Sequence, residues 1–347
     1  MTSSIHTGRR AFVKLAAAAA LTPFAGRLAH AAGDPLVLGT WGGDTEKSLA
    51  SLITASKTQY GIEILLDIGT PSARKTKLLA QMNRRRNAMD IPFLVDSDMH
   101  YLNSMEALLP LDKASIPNYG DVQEEFTHST YSVPIMYSAL ILVYSKKLGN
   151  PPKSIKDLWN PEYAGKVAFT SLSYDKIIPI VSHAFGTGTN DFTAGYDALL
   201  KLKESGVRLY ASNEAVGNAF QSGEIDVALM WKGRAHQWID AGLPIAYATP
   251  AEGVYPVFFE MAVTRNSGLP KESLKVLGEA LTPKVQQTMA ISLGQIPVIR
   301  NSGLPPKDEE RLGFNEEERK RFIKPDYGYL TPRLSEMLDF WNQRFKG

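Results

Sequence analysis

From residue 36 onward, short apolar runs alternate with stretches in which apolar residues recur every three or four positions. Residues 36–39 read as a strand. Gly42-Gly43-Asp44 then leads into a helix that puts Leu49, Leu52, Ile53, Ser56 and Tyr60 on one face. Gly61 stops that helix, and residues 62–68 form the second strand. Gly69-Thr70-Pro71-Ser72 turns into a helix ending near Arg86, and residues 91–95 make a third strand followed by Asp96-Ser97-Asp98. This β-α-β-α-β order predicts a mostly parallel, helix-covered sheet. Ligands lie beyond the carboxyl ends of such strands, so the loops at Trp41, Thr70 and Asp96 are expected to face one cleft.

The pattern changes over residues 131–144, where two extended pieces flank Tyr137-Ser138. A second alternating block follows, with strands at 167–169, 207–210 and 225–231 between helical stretches. Another extended segment, 257–263, precedes helices near 271–281 and 284–293. The last helix, from Thr331-Pro332, repeats the spacing of the first with Leu334, Met337, Leu338, Trp341 and Phe345. The expected architecture is α/β, with two lobes of mostly parallel sheet joined by extended crossovers. Lobe one would take residues 34–133, lobe two 134–246, a return to lobe one 247–310, and C-terminal helices packing across both 311–347.

The N-terminal segment is of another kind. Thr7-Gly8-Arg9-Arg10-Ala11-Phe12-Val13-Lys14 followed by an Ala-rich run forms a twin-arginine export signal, with Ala29-His30-Ala31 as its small-x-small cleavage site. The apolar run falls short of the ~20 residues that span a bilayer, and Thr22 and Pro23 interrupt it. Residues 1–31 are therefore expected to be removed. They carry Arg9, Arg10, Lys14 and Arg27 and no acid, so their loss turns the net charge from +2 to −2. No basic nucleic-acid footprint survives, and Arg84-Arg85-Arg86 reads as a solvated helix end. The absence of cysteine excludes disulfides, thiolate metal sites, a cysteine nucleophile and a lipidated anchor. A free, soluble protein of the periplasm is expected.

No catalytic motif stands out: there is no Gly-x-Ser-x-Gly, no phosphate loop and no His-Glu-x-x-His. Gly186-Thr187-Gly188 lacks a third glycine and reads as a turn. His100, His128, His183 and His236 lack ligand spacing, so neither a metal nor a cofactor is expected. Aromatic and acidic residues do recur at the expected cleft loops. Trp41 follows the first strand and Asp96 the third, Trp231 ends the strand 225–231, and Tyr174-Asp175 opens a helix. Tyr137, Glu252, Tyr255, Phe258 and Glu260 lie on or beside the crossovers. Singly, each suits packing or capping. Gathered at one rim they would form an aromatic box with carboxylates, which suits an organic cation. Lys232 and Arg234, directly after Trp231, pull the other way. Facing inward they would favour a carboxylate or phosphonate; turned back, Arg234 would tie the lobe together.

Four segments together resemble the spermidine/putrescine-binding family of periplasmic solute-binding proteins, which serve ABC importers. They are residues 152–167, Tyr131–Pro134 through Val143-Tyr144, Ser222-Gly223-Glu224 to Trp231, and Thr249-Pro250-Ala251-Glu252-Gly253. The resemblance implies a type II periplasmic-binding-protein fold closing on a ligand about a hinge. It also implies a monomer that delivers a small solute to an inner-membrane permease, and binding rather than catalysis. By the same resemblance Trp231 lies against the ligand's methylene chain, Glu260 and Asp175 stand where amine-binding carboxylates fall, and Trp41 is a first-loop aromatic. Leu172, Phe258 and Lys232 depart from the polyamine pattern. A smaller amine, an amino-acid-like zwitterion or an aminophosphonate stays open as the ligand, as does a periplasmic enzyme on this scaffold.

Overall fold

The computed structural model describes residues 34–347, and the twin-arginine motif and cleavage site lie outside the described residues. Ten strands form one sheet: β1 (Leu36–Thr40), β2 (Ile64–Ile68), β3 (Ile91–Val95), β4 (Val133–Ser145), β5 (Val167–Thr170), β6 (Arg208–Tyr210), β7 (Val227–Trp231), β8 (Ile245–Ala248), β9 (Tyr255–Met261) and β10 (Ile296–Pro297). Their order is β2-β1-β3-β9-β4-β7-β5-β6, with β8 and β10 also on β4. At one end β1 pairs in parallel with β2 and β3; at the other, β5 pairs in parallel with β6 and β7. Between them β4 and β9 run antiparallel to each other and to their neighbours. The two parallel ends match the two alternating blocks of the sequence, and β4 and β9 are the crossovers.

Two segments depart from the pattern reading. In place of two pieces within 131–144 there is one continuous strand, Val133–Ser145, because β4 is buried along almost its whole length and presents side chains to both faces of the sheet. The helix after Thr70 is shorter than its pattern, Pro71–Leu79. Beyond it the Asn266 amide donates to the carbonyls of Gln81, Met82 and Arg84, at 3.3, 2.7 and 2.7 Å, holding those residues in turns. The three arginines are exposed there, and Arg86 pairs with Asp34 at 2.6 Å.

Buried apolar side chains form one large core running from Leu36, Leu52 and Phe93 through β4 to Phe220 and Met230. A second core centres on Phe169, Leu199 and Trp341. The C-terminal helix reaches it by changing pitch: α-helical over Leu334–Asp339, it widens to a π-type turn over Phe340–Phe345. The wider turn lets Phe340, Trp341 and Phe345 all point inward, with the Phe340 and Phe345 rings 6.5 Å apart and nearly parallel.

The chain between the last two helical regions returns along the start of β9. Val254 bridges Phe322, with Ile323 N–H donating to Val254 at 2.7 Å and Val254 N–H to Arg321 at 3.3 Å. Gly253 makes that approach possible. Its φ is +119°, and a Cβ there would lie 2.1 Å from the Arg321 carbonyl oxygen. Gly253→Ala is therefore expected to cost about 2 kcal/mol or more from backbone strain and steric expulsion together. Thermal melting should show the midpoint drop by several degrees.

Candidate functional site

β9 alternates its faces, so Pro256, Phe258 and Glu260 share one side of the sheet, and all three line a cavity of about 880 Å³. Asp96 joins them because β3 runs antiparallel to β9: Leu94 sits opposite Glu260 and Val95 opposite Phe259. The next residue, Asp96, opens the helix Asp96–Ser104 and accepts a hydrogen bond from Phe258 N–H at 3.2 Å. The residues read as a loop are thus a helix start. Phe126, Tyr131, Phe322 and Tyr327 supply aromatic walls. Glu124, Glu125, His128, Arg319, Lys320 and Lys324 also line the cavity, at its polar rim.

The two carboxyl groups of this cavity are buried, Asp96 at 7% exposure and Glu260 at 8%. Burial pushes the Glu260 carboxyl up to about 8, and the negative charge of Asp96 adds to the rise. The Ser132 hydroxyl, donating to Glu260 Oε2 at 2.7 Å, opposes it. Burial likewise pushes Asp96 up to about 6. The Tyr327 hydroxyl, the Phe258 and Ser97 N–H groups and the charge of Lys176 hold it lower than burial alone would. Tyr131 is driven to about 12 by burial and by the neighbouring Glu260 charge. Burial thus raises the proton affinity of both carboxyl groups, and for Glu260 the charge of Asp96 adds to it.

Of the residues singled out in the sequence, Asp96, Phe258 and Glu260 line this cavity together. Tyr137 lies beneath its wall, buried against Phe126 and Phe258 with ring centroids 5.0 and 5.5 Å away. Tyr255 is buried next to Tyr327, whose hydroxyl it meets.

The others do not line the cavity. Trp41 packs edge-on to Phe93 at 5.3 Å, with the Arg74 guanidinium 4.4 Å above its ring. Trp231 is half-buried between the two cores. Tyr174 packs toward Trp341, 6.5 Å between centroids, and Asp175 pairs with Lys176. Glu252 caps the helical turn Ile155–Trp159: its carboxylate accepts from Ile155 N–H at 2.9 Å and Ser154 Oγ at 2.5 Å. With Ala251 N–H donating to Lys153 at 2.8 Å, that cap joins two of the family-like segments to each other.

Neither cation of the anion-binding alternative lines this cavity. Lys232 is buried with its ammonium donating to the Gly313 carbonyl and lying 4.2 Å above the Phe314 ring. Burial lowers it to about 8, partly offset by Glu318. Arg234 pairs with Glu214 at 3.6 Å, both partly exposed. Among the described residues no group of three or more His, Asp or Glu could hold a metal ion.

Phe126, Tyr131, Phe322 and Tyr327 were not singled out from the sequence. Phe322 and Tyr327 flank Ile323-Lys324-Pro325-Asp326, a proline-broken stretch without helical period. An aromatic pair in such extended chain was the one available signal.

Two parallel α/β ends bridged by antiparallel crossover strands, with an aromatic-walled cavity beside the crossovers, define the type II periplasmic binding fold. A solved ABC transporter protein from Clostridium perfringens shares it, with TM-score 0.79 and 24% identity over 89% of this chain and 99% of that one. The Atu4243-GABA receptor also does, with TM-score 0.77 and 19% identity over 89% and 97%. Residues 51–311 match the family model of bacterial extracellular solute-binding proteins, and the chain belongs to that family. The spermidine/putrescine-binding periplasmic protein of Escherichia coli K12 is 24% identical over 217 residues, 58% of this chain. The match spans 62% of that relative's length.

Proposed function

We propose that this protein is the solute-capturing component of an ABC importer, exported by the twin-arginine route to the periplasm, where it acts as a monomer. It takes a small amine-bearing solute and hands it to an inner-membrane permease. The ammonium group sits against Asp96 and Glu260, and the aliphatic part lies among Phe126, Tyr131, Phe258, Phe322 and Tyr327. One observation carries the reading: two buried carboxyl groups converge on a single aromatic-walled cavity, and Glu260 has only a serine hydroxyl to satisfy it. The relative named for spermidine and putrescine and the neighbour named for GABA support an amine as the ligand class.

The two ends of the sheet act as lobes, with β4 and β9 as the connecting segments. The ligand touches Asp96 from one side and the C-terminal return segment from the other, so it favours the closed form by binding that form better. The work is capture and closure rather than turnover.

A thermal-shift screen tests this on mature protein that has been unfolded and refolded to strip carried-over solute. At a hundredfold excess over Kd a true ligand adds about 2.7 kcal/mol, which in a chain of this size raises the midpoint by several degrees. Shifts are expected from small amines and amino-acid-like zwitterions. Shifts confined to dicarboxylates or phosphonates would refute the reading.

A further inference from the structure

Next to the cavity lies a second, nearly closed space that holds an acid, Asp175, and the chain pairs it with its own cation. Lys176, in the helix Tyr174–Phe185, places its ammonium 2.5 Å from Asp175 Oδ2, and both side chains are largely shielded, at 15% and 18% exposure. The charges of Asp96 and Asp98 act on Lys176 as well. Both belong to the helix after β3, at the other end of the sheet. The space around Lys176 retains only about 10 Å³. Tyr255 and Tyr327 border it, and Tyr327 also lines the large cavity, so its ring is a shared wall. The Tyr327 hydroxyl rests on Asp96. Asp96 therefore borders the open cavity while feeling Lys176 from behind.

The charges can be matched residue by residue. Asp175 has Lys176 and Asp98 has Lys75. Asp96 shares Lys176, and Glu260 has no cation. The rim adds no acidic excess, since it sets Arg319, Lys320 and Lys324 against Glu124 and Glu125. The acidic cleft thus holds one unmatched carboxyl group and one half-matched one, enough for a single incoming ammonium.

We propose that Lys176 is a specificity-determining residue: it occupies, as a built-in ammonium, the place a second ligand amine would take. The cavity then selects solutes carrying one ammonium group and discriminates against di- and polyamines. This rests on the amine-binding reading above and narrows it. Removing the Lys176 charge opens Asp175 and Asp96 to a second amine, and Asp175 Oδ1 is already buried without a hydrogen-bond partner.

The test is calorimetric titration of ligand-stripped wild type and Lys176→Met with butylamine, 4-aminobutanoate, putrescine and spermidine, above the Glu260 transition near 8. In the wild type putrescine is expected to bind no more than about threefold tighter than butylamine, a difference under 1 kcal/mol. In Lys176→Met that ratio is expected to move toward putrescine by about tenfold or more. A wild type preferring putrescine or spermidine over butylamine by about tenfold overturns the inference and leaves the amine-binding function standing. An unchanged ratio in Lys176→Met also overturns it. Failure of every amine to bind wild type overturns both. If Lys176→Met does not melt cooperatively, the wild-type ratio decides.

Discussion

Replacing Glu260 by Gln is expected to weaken amine binding by about a hundredfold, or about 2.7 kcal/mol, without harming the empty protein. The loss follows from the position of the group. Glu260 is buried on the cavity face of β9 with the Ser132 hydroxyl as its hydrogen-bond donor. A ligand ammonium would form a charge-assisted bond there, and removing one partner of a buried charged pair costs about 2–5 kcal/mol. Gln keeps the shape and an acceptor for Ser132 but not the charge.

The sign for the empty protein runs opposite. Burial lifts the folded Glu260 from an ordinary value of 4.5 to about 8, so the folded state holds the proton more tightly than the unfolded state does. The stability from this group is complete below about 4.5 and is lost as pH rises through about 8. Above that range Glu260→Gln should melt a few degrees higher than wild type. Calorimetric titration and melting of the same samples separate the two effects. Parallel loss of binding and stability would mean that Glu260 is structural.

Affinity for an amine is expected to climb steeply with pH and then level off. The ammonium of an alkylamine, like that of lysine, stays charged to about pH 10, so the change comes from the protein. Between about 6 and 8 Asp96 is ionised and Glu260 still carries its proton. Binding must release that proton, and affinity should rise about tenfold per pH unit in this window. Above about 8 the carboxylate is already formed and the curve flattens. Titrations in buffers of different ionisation enthalpy should detect close to one proton released per ligand near pH 7 and none in Glu260→Gln. A flat profile would show that the ligand does not engage Glu260.

Much of this architecture could be read from the chain because its strands are apolar runs bounded by glycine or proline. The third strand, 91–95, coincides with β3, and the other strands read from the pattern agree within a few residues, while the short β8 and β10 were not read. β4 was harder: its two halves look like separate strands because Tyr137-Ser138 is polar in the middle, yet both residues are buried in the sheet. Half of the site was legible for a similar local reason. Asp96 directly follows a strand, and Phe258 and Glu260 alternate along a crossover. Tyr327 and Phe322 are brought to the cavity by a bridge to Val254, across nearly seventy residues of chain, and no local pattern encodes that contact.

Trp41 and Glu252 show the converse. An aromatic at a strand end and an acid beside a glycine have the composition of a binding loop, but here one covers Arg74 and Phe93 and the other caps a helical turn. Lys232 stands directly after a strand-end tryptophan, and only the fold reveals that its ammonium is spent on the Gly313 carbonyl.

The most direct test of amine capture is a crystal structure of the refolded protein soaked with 4-aminobutanoate or butylamine. The account predicts the ligand nitrogen at about 2.8 Å from a Glu260 carboxylate oxygen, within reach of Asp96 and with its carbon chain between Phe258 and Tyr327. A ligand bound instead against Lys232 or Arg234, or with its nitrogen turned to solvent, would contradict it.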